Sequence, residues 1–330
     1  MGTKIGVWNL NPKDSLTNSI MARTIKDYAI ISLKGLGMGV ADVVPGVSGG
    51  TIAFISGIYE ELINSLKSFD LATVKLLFRD GLSIFWKKIN GNFLAALFLG
   101  IAISILSLAK VIKYLLAEHP ILIWSFFFGL IIASSLMISK QINKWDIKAV
   151  MGLLFGTALA YCVTIAAPAE TSTELWFIFL SGMLAICAMI LPGISGAFIL
   201  LLLGKYEFIV NSLSEINIKV IVTFILGCGV GLISFSHVLG WLFKKFHNMT
   251  IAILTGFMIG SLNKVWPWKL TLTTRINSHG ETIPVTQQSI LPNDFAGESL
   301  ILAAIGMAIV GFLLIYLLEN FSPDNSQTVA

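Results

Sequence analysis

The chain has 330 residues, of which 56% are hydrophobic and only 12% charged, and its mean hydropathy is +0.85. A soluble globular chain carries about 25% charged residues, so these figures exclude one and indicate a polytopic membrane protein. The net charge of +4 implies no nucleic-acid partner; it matters through the positions of Lys and Arg, which set orientation when they lie near membrane ends.

Residues 1–27 are mostly polar and lack the apolar core and cleavage site of a signal peptide, so they are expected to form a cytoplasmic N-terminal segment. The apolar stretch 28–66 follows, interrupted at Pro45-Gly46-Val47-Ser48-Gly49-Gly50-Thr51 where a spanning helix should continue. Lys4, Lys13, Arg23 and Lys26 precede it, and Lys67, Lys75, Arg79, Lys87 and Lys88 follow it. Both ends therefore belong on the cytoplasmic side, and the stretch is expected to be a re-entrant hairpin rather than two spans. Residues 70–90 are too charged to span and amphipathic enough to lie as one interfacial helix on an anionic leaflet.

Spans are expected at 93–116 and 121–138, joined at Glu118-His119-Pro120, and at 149–167. Lys140, Lys144 and Lys148 mark a cytoplasmic loop, while the segment holding Glu170 and Glu174 has no base and belongs outside. A second hairpin, 175–213, then enters from outside and returns there. Spans 218–243, 250–266 and 299–318 complete the membrane part, followed by a cytoplasmic tail, 319–330. The loop 267–297 is external, and its Thr-rich flanks suggest a β-hairpin. Cys162, Cys187 and Cys228 fall in apolar runs and read as small buried hydrophobes, with neither a disulfide framework nor metal-ligand spacing. No cofactor or metal is indicated.

The two interrupted stretches are copies. A shift of 147 lays Pro45, Gly46, Ser48, Gly49, Tyr59 and Glu60 on Pro192, Gly193, Ser195, Gly196, Tyr206 and Glu207. Beyond the hairpins the shift becomes 127, pairing Leu99, Gly100, Gly129 and Ser134 with Leu226, Gly227, Gly256 and Ser261. The change arises because the first copy alone carries the linker 70–90. The expected fold is therefore an all-α polytopic membrane protein with an inverted repeat (28–167 and 175–318), each copy a re-entrant broken-helix hairpin plus three transmembrane helices. A hairpin makes no net crossing and three spans are odd, so the second copy enters upside down.

Each break starts a half-helix with free backbone N–H groups and the positive end of a helix dipole. In a low-dielectric interior that is an anion site, and glycine lets a phosphate approach the backbone. The expected set is Pro45, Gly46, Ser48, Gly49, Gly50 and Thr51 with Pro192, Gly193, Ser195, Gly196 and Ala197. Against it stands simple kinking or close packing by small residues, which is less apt for two copies than for one. Asp42, Glu60 and Glu207 are candidate coupling acids, since ionisable groups in a membrane are costly. Their alternatives are a cap of the broken backbone for Asp42, whose mate is Met189, and interfacial solvation for the two glutamates. Lys34 and Lys205 either attract an anionic headgroup or snorkel.

GVSG and GISG also fit the G-x-S-G pattern of intramembrane serine proteases, with His119, His237 or His247 as conceivable bases. A protease needs one nucleophile and one positioned base, so a duplicated serine without a duplicated histidine argues against it. An importer of a soluble anion is the other alternative.

The stretches ADVVPGVSGGTIAFISGIYEELI and LPGISGAFILLLLGKYEFI resemble the PopT-type undecaprenyl-phosphate translocase family, over nearly the whole chain. The resemblance implies a bacterial inner-membrane protein, with both termini cytoplasmic, that returns the C55 lipid carrier phosphate from the outer to the inner leaflet for envelope polymer synthesis. The implied partners are undecaprenyl phosphate or a related polyprenyl phosphate and membrane lipid. Coupling to H+ or Na+ is left open, as is a homo-oligomer. Moving the headgroup inward against an inside-negative potential costs about 2.3 kcal/mol per charge per 100 mV, which a co-transported cation offsets.

Overall fold

The computed structural model describes residues 23–43, 47–169, 171–276 and 282–321. Pro45 and Gly46, two expected site residues, lie outside the described residues. The chain is mostly helical. Helices α1 (Ile25–Val43), α2 (Gly49–Ile55) and α3 (Tyr59–Lys67) are followed by α4 (Leu71–Arg79) and α5 (Leu82–Lys88). Then come α6 (Gly91–Glu118), α7 (Pro120–Ser139), α8 (Ile147–Ile165), α9 (Leu175–Ile190), α10 (Gly196–Leu202), α11 (Tyr206–Ser214), α12 (Ile218–Lys245) and α13 (His247–Val265). An antiparallel pair, β1 (Lys269–Ile276) and β2 (Thr282–Ser289), departs from the all-helical plan where the Thr-rich loop suggests it, and α14 (Ile301–Phe321) ends the description.

Local chemistry explains the boundaries. The side chains of Asp70, Asp146 and Asn217 accept from the amides of Thr73, Ala149 and Val220 and so cap α4, α8 and α12. Pro120 opens α7, where its missing N–H costs nothing. The linker expected as one interfacial helix is two, because Gly81 between them adopts φ 88°, which an α-helix cannot continue through. Phe78 and Leu82 are 85% and 65% exposed there, an apolar surface suited to a leaflet.

Each broken segment doubles back on itself. At the first, Gly49 lies beside Asp42, with a hydrogen bond of 2.7 Å, and further along Lys34 Nζ reaches the Ser56 carbonyl at 2.7 Å. Helices α1 and α2 thus run antiparallel. At the second, Ala169 N donates to Leu202 O at 2.8 Å, bringing the end of α10 back to the segment before α9. Both half-helices then stop in the same way. The amides of Gly57 and Ile58 donate to Phe54 and Ala53, those of Gly204 and Lys205 to Leu201 and Leu200, with φ 72° and 62° at the two glycines. At the second copy α10 and α11 are bent by 110°.

The element bounds recur at the same shifts as the sequence. Adding 147 to α2 and α3 gives the bounds of α10 and α11, and adding 127 to α6 gives those of α12. Packing recurs as well. A Cβ on Gly35 would sit 2.2 Å from Leu97 O and one on Gly100 1.9 Å from Ser32 O; their mates Gly182 and Gly227 would meet Phe224 O at 2.5 Å and Phe179 O at 2.1 Å. Close backbone approach therefore joins α1 to α6 and α9 to α12 through equivalent glycines. The next spans cross over between copies: Gly129 of α7 faces Ala308 of α14, and Gly256 of α13 faces Leu153 of α8.

Among the described helices, four are long and apolar enough to cross a membrane, or up to five if the bent pair counts as one. Outer faces carry open apolar side chains such as Leu106, 82% exposed, and Leu302, 87% exposed, as lipid-facing helices do. α13 is central instead, with Ile251, Ala252, Leu254 and Met258 at 1% or less exposure.

Candidate functional site

The two breaks touch. Ser48 Oγ donates to Met189 O at 2.8 Å, and Gly193 N donates to Thr51 Oγ1 at 2.9 Å. Gly50 has no room for a side chain, since its Cβ would stand 2.3 Å from Ile190 O. Ser48 and Thr51 are fully buried and Ser195 is nearly so, which puts the contact in the interior of the bundle. Of the expected phosphate-binding residues, Ser48, Gly50, Thr51 and Gly193 make the contact between the hairpin tips, while Gly49 and Gly196 pack within their own hairpins against Asp42 and Ala185.

The tips differ in what occupies their donors. At the first, Gly49 N donates to Asp42 Oδ1, Gly50 N to Ser48 Oγ at 3.0 Å and Thr51 N to Ser48 O at 2.9 Å. The half-helix that sequence reasoning offers to an external anion holds the chain's own carboxylate. At the second, Met189 stands in place of Asp42 and Ser195 does not cap its helix. Among the described residues no hydrogen bond reaches the amides of Gly196, Ala197 or Phe198. The open donors lie on the copy that has no acid.

The remaining ionisable groups fall elsewhere. Lys34 and Lys205 each cross to a backbone carbonyl beside a half-helix end, Ser56 at 2.7 Å and Thr171 at 2.6 Å, and Lys205 also lies over the Phe177 ring. Glu60 is half open, 3.8 Å from His247, and Glu207 occupies the same place on α11. Glu61 and Arg23, which sequence reasoning passed over, form a two-bond pair at 2.8 Å joined by Asn90 at 2.7 Å, tying the start of α1 to α3 and α6. The histidines weighed as protease bases are engaged apart from the serines: His237 Nδ1 lies 2.8 Å from Ile233 O on its own helix, and His247 faces Glu60. A cavity of about 650 Å³ along the linker is lined by Leu82, Ser83, Trp86, Lys87 and Asn92, none of them in either break.

Two further lysines flank the second tip. Lys264 Nζ lies 4.1 Å from the centre of the Phe198 ring, and Lys269 Nζ lies 3.8 Å from that of Trp124 while donating to Lys264 O at 2.5 Å. On β1, outside the helices, burial and then the neighbouring Lys264 ammonium push Lys269 down to about 7.

Compared with known proteins, residues 38–283, a span holding both breaks and β1, match the family described as undecaprenyl phosphate translocase-like. The chain belongs to this family. A Vibrio cholerae member named polyprenyl-phosphate transporter is 46% identical over 275 residues, 83% of this chain and 89% of that protein. A Staphylococcus aureus protein of the same name is 33% identical over 253 residues, 71% of this chain and 85% of that one. No solved structure matches. Within this translocase-like family the chain therefore supplies a view of how the two GxSG stretches meet.

Proposed function

We propose that the protein moves a polyprenyl phosphate, undecaprenyl phosphate in bacteria, from the outer to the inner leaflet of the cytoplasmic membrane, with the two hairpin tips as the phosphate site. The contact between the tips carries this reading, in a chain whose relatives are named polyprenyl-phosphate transporters. The uncapped second tip, Pro192 to Ala197, receives the phosphate; the first tip, with the Asp42-capped Gly49, faces it. A lipid substrate suits hairpins lying beside a bilayer, because the headgroup slides between them while the isoprenoid tail stays in the lipid. Glu60 and Glu207, at matching positions after the half-helices, are secondary coupling candidates, and Lys34 and Lys205 brace the hairpin ends.

The test is a leaflet-resolved assay of undecaprenyl phosphate in cells with and without the protein. The lipid should accumulate in the outer leaflet on depletion and return on re-expression; an unchanged distribution would end this reading.

An inverted two-copy plan is part of the proposal, supported by the recurrence of element bounds and glycine contacts. It puts both termini and the linker 67–90 inside and residues 267–297 outside. A cysteine replacing the exposed Gln287 should then react with an impermeant maleimide in intact cells, and one replacing Lys144 only after permeabilisation. The reverse pattern, or both on one side, would overturn the plan.

A further inference from the structure

Lys264 differs from the other enclosed lysines, and Lys269, whose ammonium donates to Lys264 O, lies beside it. Lys34 and Lys205 give their ammonium groups to carbonyls of the hairpin ends. The Lys264 ammonium has no hydrogen-bond or carboxylate partner among the described residues and rests on the face of Phe198. Lys269 Nζ reaches the backbone carbonyl of Lys264, which sets the two lysines side by side. Two neighbouring ammonium groups with no acid between them leave a cost that one shared anion would remove.

Their position says which anion path they serve. Phe257, Ser261 and Lys264 are spaced four and three residues apart on α13, so they share one face of the helix. That face packs on the second break: a Cβ on Gly193 would stand 2.8 Å from Phe257 O and 2.9 Å from Ser261 Oγ. One turn further on, Lys264 covers Phe198, the third residue of the uncapped half-helix. Lys269 continues the line to the β-hairpin, held under Trp124. The strand pair is fixed in turn by Trp266 Nε1 to Ile290 O and Trp268 Nε1 to Ser299 O, both at 2.8 Å. The Phe198 and Trp124 rings each cover one of the two ammonium groups, and partial removal from water strengthens a charge's pull on an anion.

We propose that Lys269 and Lys264 form an entry site for a phosphate monoester at the β-hairpin end of the bundle, passing the phosphate along α13 to the second hairpin tip. This rests on the transport reading above and adds to it the residues that first capture the headgroup. The recognised chemistry is a terminal phosphate, either on a lipid or as the free ion.

The experiment uses the full chain in phosphatidylcholine nanodiscs, with a short-chain polyprenyl phosphate, the matching polyprenol and inorganic phosphate as probes. Lys264→Met, which keeps the stem over Phe198, should raise the Kd for the lipid phosphate about tenfold or more, the worth of one charge-assisted contact. Lys269→Met should do the same, while Lys264→Arg should stay within about threefold of the parent and polyprenol binding should not change. Competition by inorganic phosphate at the same concentrations as the lipid assigns the site to a free ion; failure to compete assigns it to the lipid headgroup. Should the methionine variants lose their thermal transition, acetylation of the unaltered protein decides: protection of Lys264 by either phosphate supports the site, and equal acetylation with and without them overturns it. A normal Kd in both methionine variants overturns it equally. If the unaltered protein binds lipid phosphate but does not move it between leaflets, the transport reading fails while the site stands.

Discussion

Gly49→Val and Gly196→Val should each reduce lipid-phosphate transport about a hundredfold while the protein still inserts into the membrane. A Cβ on Gly49 would stand 2.5 Å from Asp42 Oδ2, and one on Gly196 2.5 Å from Ala185 O, both inside contact distance before the valine methyls are added. Overpacking of this kind costs about 1–3 kcal/mol, and at the upper end, with backbone on the other side, about 3 kcal/mol is two decades in rate. The two variants should fail differently. Gly49→Val drives the Asp42 carboxylate off its amide and leaves an uncompensated charge in the first hairpin, whereas Gly196→Val separates α10 from α9 next to the open amides. Transport measured by a leaflet-resolved assay, with membrane content by immunoblot and thermal stability on purified protein, checks this. Full-rate transport by either variant would show that the tips do not work as the close-packed pair seen here.

Much of this arrangement is legible in the residues alone, because a break inside an apolar run conflicts with membrane physics and one repeated at a fixed shift is no accident. The shifts of 147 and 127 return as element bounds, and the Thr-rich loop returns as two strands. What the linear pattern hides is which polar groups consume one another. Ser48 and Met189 are 141 residues apart, and no local rule says that the hydroxyl expected on a phosphate is donated to a carbonyl of the other hairpin. The same holds for Lys264 and Lys269, which no motif singles out; only the packing of α13 against the second break brings Lys264 to Phe198, with Lys269 over Trp124. The glycines of the spans carry a packing signal besides the repeat itself. Gly100 and Gly227, or Gly129 and Gly256, are repeat mates, and paired small residues at matched positions in membrane helices mark close helix crossings. Glu61 had no such signal, since its mate is Phe208. Its role depends on Arg23 and Asn90, which arrive from opposite directions along the chain.

Asp42→Asn should keep lipid-phosphate binding but lose the dependence of transport on the proton gradient. The structure bears on both halves of that expectation. Asparagine retains an oxygen that can accept from Gly49 N, as Asp42 Oδ1 does at 2.7 Å, so the hairpin tip should survive. What disappears is the exchangeable proton and the negative charge. Among the described residues Asp42 has no cation partner, and it lies on the tip that faces the proposed phosphate site across the Ser48 and Thr51 contacts. A phosphate entering the second tip meets that carboxylate as a like charge. Taking up a proton on Asp42, or on the phosphate it faces, removes the repulsion and lowers the charge carried against the membrane potential, each unit of which costs about 2.3 kcal/mol per 100 mV. Asparagine supplies the neutral state permanently, so binding in the variant should be equal or tighter while collapse of the proton gradient no longer slows inward movement. The measurement is the initial rate of leaflet transfer in proteoliposomes at fixed lipid phosphate, with and without an imposed pH difference. If the variant matches the parent in rate and in its response to that difference, Asp42 only caps the first half-helix, and Glu60 and Glu207 become the acids to replace next.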